Sequence, residues 1–124
     1  MRCTAWALVL LGLLLVAPSP ARAQDCSPKD KVALCRNYPN PFNPVTVISY
    51  SLSVPSYVTL KVYNTLGQEV AELIHNELMN EGEQDVEFDG ANLSSGVYYY
   101  RISAQDVDGK NPAYISVKKM VLLK

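Results

Sequence analysis

The sequence contains few of the residues that most often carry catalysis or bind metals. Its 124 residues include one histidine and three cysteines. No Gly-x-Ser-x-Gly turn or neighbouring acid accompanies His75, so the elements that activate a nucleophile are missing. Cys26 and Cys35 have no histidine near them, and their spacing matches no common zinc site. We therefore expect no enzyme activity and no metal or cofactor site.

A large excess of positive charge is also missing. The chain carries 11 basic and 12 acidic residues, a formal net charge of −1. Because proteins that bind nucleic acids or anionic membranes by charge need a basic excess, neither partner is expected. No sequence feature indicates a small-molecule substrate either. A chain of 124 residues has room for one domain and a short appendage.

A long apolar run occurs only at the N-terminus. Residues 5–17 are apolar, follow Met1-Arg2, and are followed by the Ala-x-Ala sequence that ends at Ala23. The run is shorter than the roughly 20 residues of a membrane-spanning helix, which favours a signal peptide, residues 1–23, over an uncleaved anchor. A lipoprotein signal needs small residues directly before the modified cysteine, whereas Gln24 and Asp25 precede Cys26. Removal of residues 1–23 takes two of the 11 basic residues, leaving nine against 12 acidic, a net charge of −3.

The mature chain begins with a polar leader, residues 24–36. Its only apolar run is Val32, Ala33 and Leu34, so it buries little surface by itself. Export brings a chain into oxidising surroundings, where paired cysteines commonly form disulfides. We expect a disulfide between Cys26 and Cys35.

From residue 45 onward the hydrophobic pattern is that of β-strands. Residues 47–52 and 58–63 alternate with a period of two, as does the stretch around Val86 and Phe88. Residues 69–75 are less regular and predict a short or bulged strand, whereas residues 97–104 and 114–123 predict two further strands. Gly67 supplies a positive φ in the turn before residue 69. Six or seven short strands without a helix indicate an all-β fold, an antiparallel β-sandwich.

Two further patterns allow a functional and a structural interpretation. Asp106, Asp108 and Asn111 are spaced somewhat like calcium-loop ligands, but the glycine is displaced and the distal glutamate is missing, so a hairpin turn is the better interpretation. Tyr98, Tyr99 and Tyr100 could stack on bases, although aromatic residues on both faces of a strand also fill a thin sandwich. The net charge favours the packing role.

Four blocks of the sequence, in order, resemble a known family. They are NYPNPFNP (residues 37–44), LKVYN with LGQEV (residues 60–64 and 66–70), SGVYYYRI (residues 95–102) and KKMVLLK (residues 118–124). Together they resemble the type A C-terminal sorting domain of the type IX (Por) secretion system, which is similar to the immunoglobulin-like domain of the flagellar hook-cap protein. The resemblance covers residues 37–124.

The resemblance implies a route and a set of partners. Signal peptidase releases the chain at the inner membrane, the outer-membrane translocon and its shuttle protein recognise the folded domain, and a sortase removes it at the cell surface. The product is then anchored or released outside the cell. In such domains the last strand carries recognition, which transfers here to Lys118, Lys119, Met120, Val121, Leu122, Leu123 and Lys124. The structural motif transfers to Asn40, Pro41, Phe42, Gly67, Gly96 and Tyr98.

One departure from the family keeps a second interpretation open. Sorting domains usually follow a large cargo, whereas here only residues 24–36 separate the predicted signal peptide from the predicted domain. The chain is expected to be a sorting signal with minimal or missing cargo. The alternative is a stand-alone immunoglobulin-like structural or adhesion module of the cell surface. The sortase cleavage site and the oligomeric state are left open.

Overall fold

Strands with alternating burial account for nearly all of the regular structure. The computed structural model describes Cys26 and residues 32–124; the predicted signal peptide, residues 1–23, lies outside the described residues. The described residues form seven strands: β1 (Val32–Leu34), β2 (Val45–Leu52), β3 (Ser56–Tyr63), β4 (Glu69–Met79), β5 (Gly82–Asp89), β6 (Gly96–Asp106) and β7 (Tyr114–Leu122).

The strands form two sheets in which neighbouring strands run antiparallel. One sheet has the order β1-β2-β5 and the other β4-β3-β6-β7. The β2–β3, β4–β5 and β5–β6 connections each pass from one sheet to the other. This arrangement confirms the predicted all-β, immunoglobulin-like antiparallel sandwich.

The core lies between the sheets and consists mainly of apolar side chains that alternate along the strands. Alternation along a strand places every second side chain on one face, so each strand contributes one row. The rows of β2, β3 and β6 contain the most fully buried side chains, including Ile48, Tyr50, Val58, Leu60, Val62, Tyr100 and Ile102, each 0 % exposed. Phe88 of β5 is also buried, as predicted, and the acidic residues between its inward positions face solvent.

The predicted strand at residues 69–75 is longer than expected. β4 extends to Met79, and three register shifts against β3 confirm the bulged form of the predicted short or bulged strand. At one irregularity Asn76 has φ +44°, and its N–H donates to Thr59 Oγ1 at 3.1 Å. An edge strand needs only backbone pairing on one side, which explains why the strand continues after the apolar alternation ends.

The leader contributes more to the fold than its composition suggests. Val32–Leu34 pairs with β2, and Val32 and Leu34 are buried in the core. The expectation that residues 24–36 bury little surface concerned the segment by itself. In the fold, pairing with β2 supplies the neighbours that the leader lacks locally. Cys26 and Cys35 form a disulfide with Cα atoms 5.6 Å apart. The boundary between leader and domain stays a prediction.

Candidate functional site

The last strand combines a buried row with an exposed row. β7 forms the edge of the four-stranded sheet and pairs with β6 through nine residue pairs without a register shift. Met120 and Leu122 are fully buried, whereas Lys119, Leu123 and Lys124 are exposed; Lys118 and Val121 are intermediate. The seven predicted recognition residues therefore divide into those that hold the strand and those that a partner can contact.

A segment that we call the bridging segment, residues 37–44, connects β2 to β7. The backbone groups of Tyr38 and Val47 exchange two hydrogen bonds of 2.9 Å, which fix the start of the segment to β2. At its other end Phe42 forms a parallel bridge with Leu122. The segment thus pairs with both sheets, and its prolines suit this extended, helix-free path.

Asn40 and Phe42 hold the end of β7 through backbone groups. The Phe42 N–H donates to the Val121 carbonyl, and the Leu123 N–H donates to the Phe42 carbonyl, each at 2.9 Å. The Val121 N–H donates to Asn40 Oδ1 at 3.0 Å. Three outward-facing backbone groups at the end of β7 therefore have partners in the bridging segment. This gives a physical role to Asn40 and Phe42 of the predicted motif.

Phe42 also anchors the bridging segment in the core. Its side chain is 1 % exposed and lies edge-on to Phe88, with ring centroids 6.0 Å apart. A Cβ atom added to Gly90 would lie 3.2 Å from Leu122 Cδ2 and 3.4 Å from Phe42 Cε2. Glycine at position 90 therefore allows the backbone to approach these two side chains.

Asn37 forms the buried polar part of the same segment. Its Nδ2 donates to Thr46 Oγ1 at 3.1 Å and to the Pro39 carbonyl at 3.2 Å, while the Thr46 hydroxyl donates to the Pro39 carbonyl at 2.9 Å. Asn37 Oδ1 is buried without a hydrogen-bond partner among the described residues. Two side chains and one carbonyl thus fix the turn into Pro39.

The loop before β6 holds the C-terminus. Gly96 has φ +154°, in the region that favours glycine, and the Tyr98 hydroxyl donates to the Ser94 carbonyl at 2.6 Å. The Lys124 N–H donates to Ser95 Oγ at 2.9 Å, and Lys124 Nζ donates to the Ala91 carbonyl at 2.6 Å. Gly96 and Tyr98 therefore shape the loop against which the chain ends.

The β3–β4 turn and the loop before β6 line opposite sides of an open cleft of about 550 Å³. Asn64 Oδ1 accepts hydrogen bonds from the N–H groups of Leu66 and Gln68, at 2.9 and 3.0 Å. Gly67 has φ +83°, which confirms the predicted positive value. Leu66 is 81 % exposed beside the cleft. The motif residue Gly67 thus shapes a turn that lies across this cleft from the loop before β6.

The residues of the calcium-like pattern and the single histidine make local structural contacts. Asn111 Nδ2 donates to Asp106 Oδ2 at 2.9 Å, and the Gly109 N–H donates to the Asp106 carbonyl at 3.0 Å, as in a hairpin turn. His75 is an exposed neighbour of Glu72, with Nδ1 and Oε2 2.9 Å apart. Within Cys26 and residues 32–124, no cluster of three or more His, Cys, Asp or Glu side chains could hold a metal ion. The same residues include no helix with the length and hydropathy needed to cross a bilayer.

Two buried tyrosines and one surface cluster have shifted pKa values. Burial raises the pKa of Tyr50 to about 12, with a contribution from the charge of Glu77. Burial likewise raises the pKa of Tyr100 to about 12; its hydroxyl donates to the Cys35 carbonyl at 2.7 Å. On the surface, Lys61 lies 3.2 Å from Glu69 and 3.8 Å from Glu72. Hydrogen bonding to His75, opposed by partial desolvation, lowers the pKa of Glu72.

Asn37, Gly90 and Tyr100 support the site but were not among its predicted residues. Asn37 stood inside the proline-rich block, and its role depends on Thr46, which only the fold brings near. Gly90 showed a turn signal next to Asp89, but its contact with Leu122 joins positions far apart in sequence. Tyr100 belonged to a run of tyrosines for which packing was the favoured interpretation, and that pattern does not indicate a hydrogen bond to Cys35.

The comparisons with known proteins identify one family. A family model described as a secretion system C-terminal sorting domain matches residues 36–118. The match includes most of the sandwich and ends within β7, so residues 119–124 lie beyond it. No curated protein matches the chain. Among solved structures, the crystal structure of CopC from Methylosinus trichosporium OB3b is similar, with a TM-score of 0.47, 13 % identity, and coverage of 72 % of this chain and 90 % of that one.

Proposed function

Because this chain belongs to the family of secretion system C-terminal sorting domains, we propose that its sandwich is a type IX sorting signal that directs the exported protein across the outer membrane. The family match to residues 36–118 carries the proposal. The way in which Asn40 and Phe42 hold the end of β7 supports it, because a signal read on a folded domain needs a fixed last strand.

The type IX secretion machinery as a whole is the partner implied by the family. In our proposal the outer-membrane translocon and its shuttle protein contact the exposed residues Lys119, Leu123 and Lys124, and a sortase acts on the delivered chain. The buried residues Met120 and Leu122 keep the strand in place. In this proposal the domain acts as a targeting signal and not as a catalyst. The protein reaches the cell surface or the medium.

The structure changes what the proposed minimal cargo can be. Residues 24–36 include β1, whose Val32 and Leu34 are buried, and Cys35, which accepts the Tyr100 hydrogen bond. The residues ahead of position 37 are therefore partly built into the sandwich. In our proposal residues 32–36 therefore belong to the sorting domain and not to its cargo.

A secretion assay in a bacterium with a type IX system tests the proposal. A fluorescent reporter is inserted between Ala23 and Gln24 of the full chain, so that β1 and the disulfide are kept. Deletion of the last five residues would remove Met120 and Leu122 from the core, and misfolding would then resemble loss of recognition. The informative variant instead changes exposed residues only, Leu123→Asp with Lys124→Glu.

The matched control is Leu78→Asp with Lys110→Glu, which makes the same changes at exposed positions outside β7 and the C-terminal residues. We expect the wild-type and control fusions on the surface and the tail variant in the periplasm, measured by protease accessibility of the reporter on intact cells. Retention of all three fusions in the periplasm would contradict the sorting function.

The participation of the leader in the core favours a second candidate. If a sortase cut before residue 37, the remaining sandwich would lose β1 and the disulfide. An uncut, stand-alone immunoglobulin-like module of the cell surface avoids this loss. The mass and N-terminal sequence of the recovered protein separate the two: an intact chain of residues 24–124 on the surface favours the module, and recovery only of sandwich fragments that start near Asn37 favours sortase processing.

A further inference from the structure

The four edge strands of the sandwich differ in how they resist pairing with another chain. Open edges are normally blunted by short length, irregularity or charge. β1 has only three residues, and β4 has three register shifts. β5 carries Glu83, Asp85, Glu87 and Asp89 and no positive charge. β7 is regular over its full length of nine residues and has apolar side chains at its start.

The bridging segment covers only the end of the β7 edge. Phe42 and Asn40 bond to Val121 and Leu123, which shows that the odd-numbered residues of β7 direct their N–H and C=O groups outward. Ile115, Val117 and Lys119 share this orientation. Within residues 32–124, no strand or loop hydrogen-bonds to β7 at these three positions. β1 lies beside β7, but it pairs with β2.

The side chains along this part of the edge are apolar and then positive. Ile115 and Val117 are each 53 % exposed, and Lys119 follows them on the same face. Arg101 of β6 is paired in register with Val117 and adds a second cation beside the strand. Lysines on an edge disfavour pairing with a second copy of the same edge and favour a strand that carries carboxylates.

We propose that the open edge of β7, from Ile115 to Lys119, binds an extended acidic segment of a protein of the secretion machinery, which adds to the sheet as a fifth strand. This inference rests on the proposed function. The main-chain groups of Ile115, Val117 and Lys119 supply the hydrogen bonds, as in other cases of strand addition. The carboxylates of the added strand lie near Lys119 and Arg101, and its apolar residues lie beside Ile115 and Val117.

The secretion assay tests the proposal with the full-length reporter fusion. Val117→Pro removes an outward N–H, which an edge strand tolerates, and Val117→Thr keeps this group and serves as its control. Lys119→Glu reverses the charge on the edge, and Lys110→Glu makes the same change in the β6–β7 hairpin. We expect Val117→Pro to lower surface delivery about tenfold, the effect of roughly one hydrogen bond, and Lys119→Glu to lower it severalfold. Both controls are expected to match the wild type.

A binding measurement covers the case in which Val117→Pro does not fold, as judged by its thermal transition. The probes are two synthetic peptides of equal length, one alternating valine with glutamate and the other alternating valine with lysine. We expect the glutamate peptide to slow amide exchange at Ile115, Val117 and Lys119 in the purified wild-type chain, and the lysine peptide to leave it unchanged.

The outcomes separate this inference from the sorting function. If folded Val117→Pro and Lys119→Glu reach the surface as well as the wild type does, strand addition is overturned and the sorting function is left intact. Equal effects of the two peptides also overturn it. A wild-type dimer that Val117→Pro dissociates identifies the occupant as a second copy and contradicts an acidic partner. Periplasmic retention of the wild type contradicts the sorting function itself.

Discussion

The two sides of the sandwich differ in charge and in how the sheets are joined. On one side β4 and β5 carry seven carboxylates and no lysine or arginine. On the other side β1 and β7 carry two lysines and no carboxylate, and the bridging segment pairs with strands of both sheets. The acidic side resists pairing through charge and irregularity, whereas the basic side is fixed at one end and open along the rest. The side proposed for recognition is thus also the side on which buried contacts hold the last strand.

Phe42→Ala is the variant on the basic side with the largest expected effect on stability. The phenylalanine is buried and packs on Phe88, so its truncation leaves a cavity between the sheets. We expect the free energy of unfolding to fall by about 3–5 kcal/mol, measured by urea denaturation. Tyr38→Ala, at a 54 % exposed position of the same segment, is the control and is expected to change it by less than about 1 kcal/mol. Equal losses in the two variants would show that the bridging segment is not anchored by Phe42.

Tyr100→Phe is expected to have the next largest effect. It removes the hydrogen bond to the Cys35 carbonyl, which joins β6 to the leader, and should lower the free energy of unfolding by about 1–3 kcal/mol at neutral pH. Tyr63→Phe, whose hydroxyl accepts only a long 3.4 Å contact from Arg101, is the control. A loss no larger than that of the control would show that this bond does not hold the leader.

The same tyrosines predict a loss of stability at high pH. Above pH 10.0 the tyrosines of the unfolded chain ionise, whereas burial keeps Tyr50 and Tyr100 protonated until the pH reaches about 12. The folded state then binds more protons than the unfolded state, so the free energy of unfolding falls as the pH rises between these values. In urea titrations from pH 9 to pH 12, the decline should be less steep for Tyr50→Phe and for Tyr100→Phe than for the wild type. An unchanged slope in both would contradict the assigned pKa shifts.

Asn40→Ala is expected to have a smaller effect, because it removes one hydrogen bond near the surface. Its Oδ1 accepts the Val121 N–H, so the variant frees one donor at the end of β7. We expect a loss of about 0.5–1.5 kcal/mol in the free energy of unfolding and faster amide exchange at Val121. Asn43→Ala in the same exposed stretch is the control. Unchanged exchange at Val121 would show that Asn40 does not hold the strand end.

The strands and the core rows were predictable because a period of two records burial directly. Alternation around Ile48, Leu60 and Ile102 reflects one face in the core and one outside, and nothing distant is needed to detect it. β1 was not predicted as a strand, because three apolar residues in a polar leader have no local reason to be buried. Their burial depends on pairing with β2, which lies outside the leader.

For the candidate site, too, the sequence predicts local properties but not contacts between distant residues. The prolines of residues 37–44 favour an extended path, which is a local property of the sequence. The bonds from Asn40 and Phe42 to Val121 and Leu123 join the two ends of the sandwich, and no pattern within either block contains that pairing. Identifying β7 as an edge strand likewise requires the strand order, which the hydrophobic period does not determine.

The acidic side is expected to respond least to a single change. Glu72 lies 2.9 Å from His75 and 3.8 Å from Lys61 on an exposed surface, where ion pairs contribute little because water and salt screen them. Because these partners lower the pKa of Glu72, its contribution is present above the ordinary value of 4.5 and is lost as the pH falls below it. Glu72→Gln should therefore lower the urea midpoint slightly at pH 7 and by less at pH 3, with Glu81→Gln as the control. A midpoint shift at pH 7 as large as that of Asn40→Ala would mean that the acidic side, too, depends on specific side-chain contacts. The two sides would then differ in charge alone.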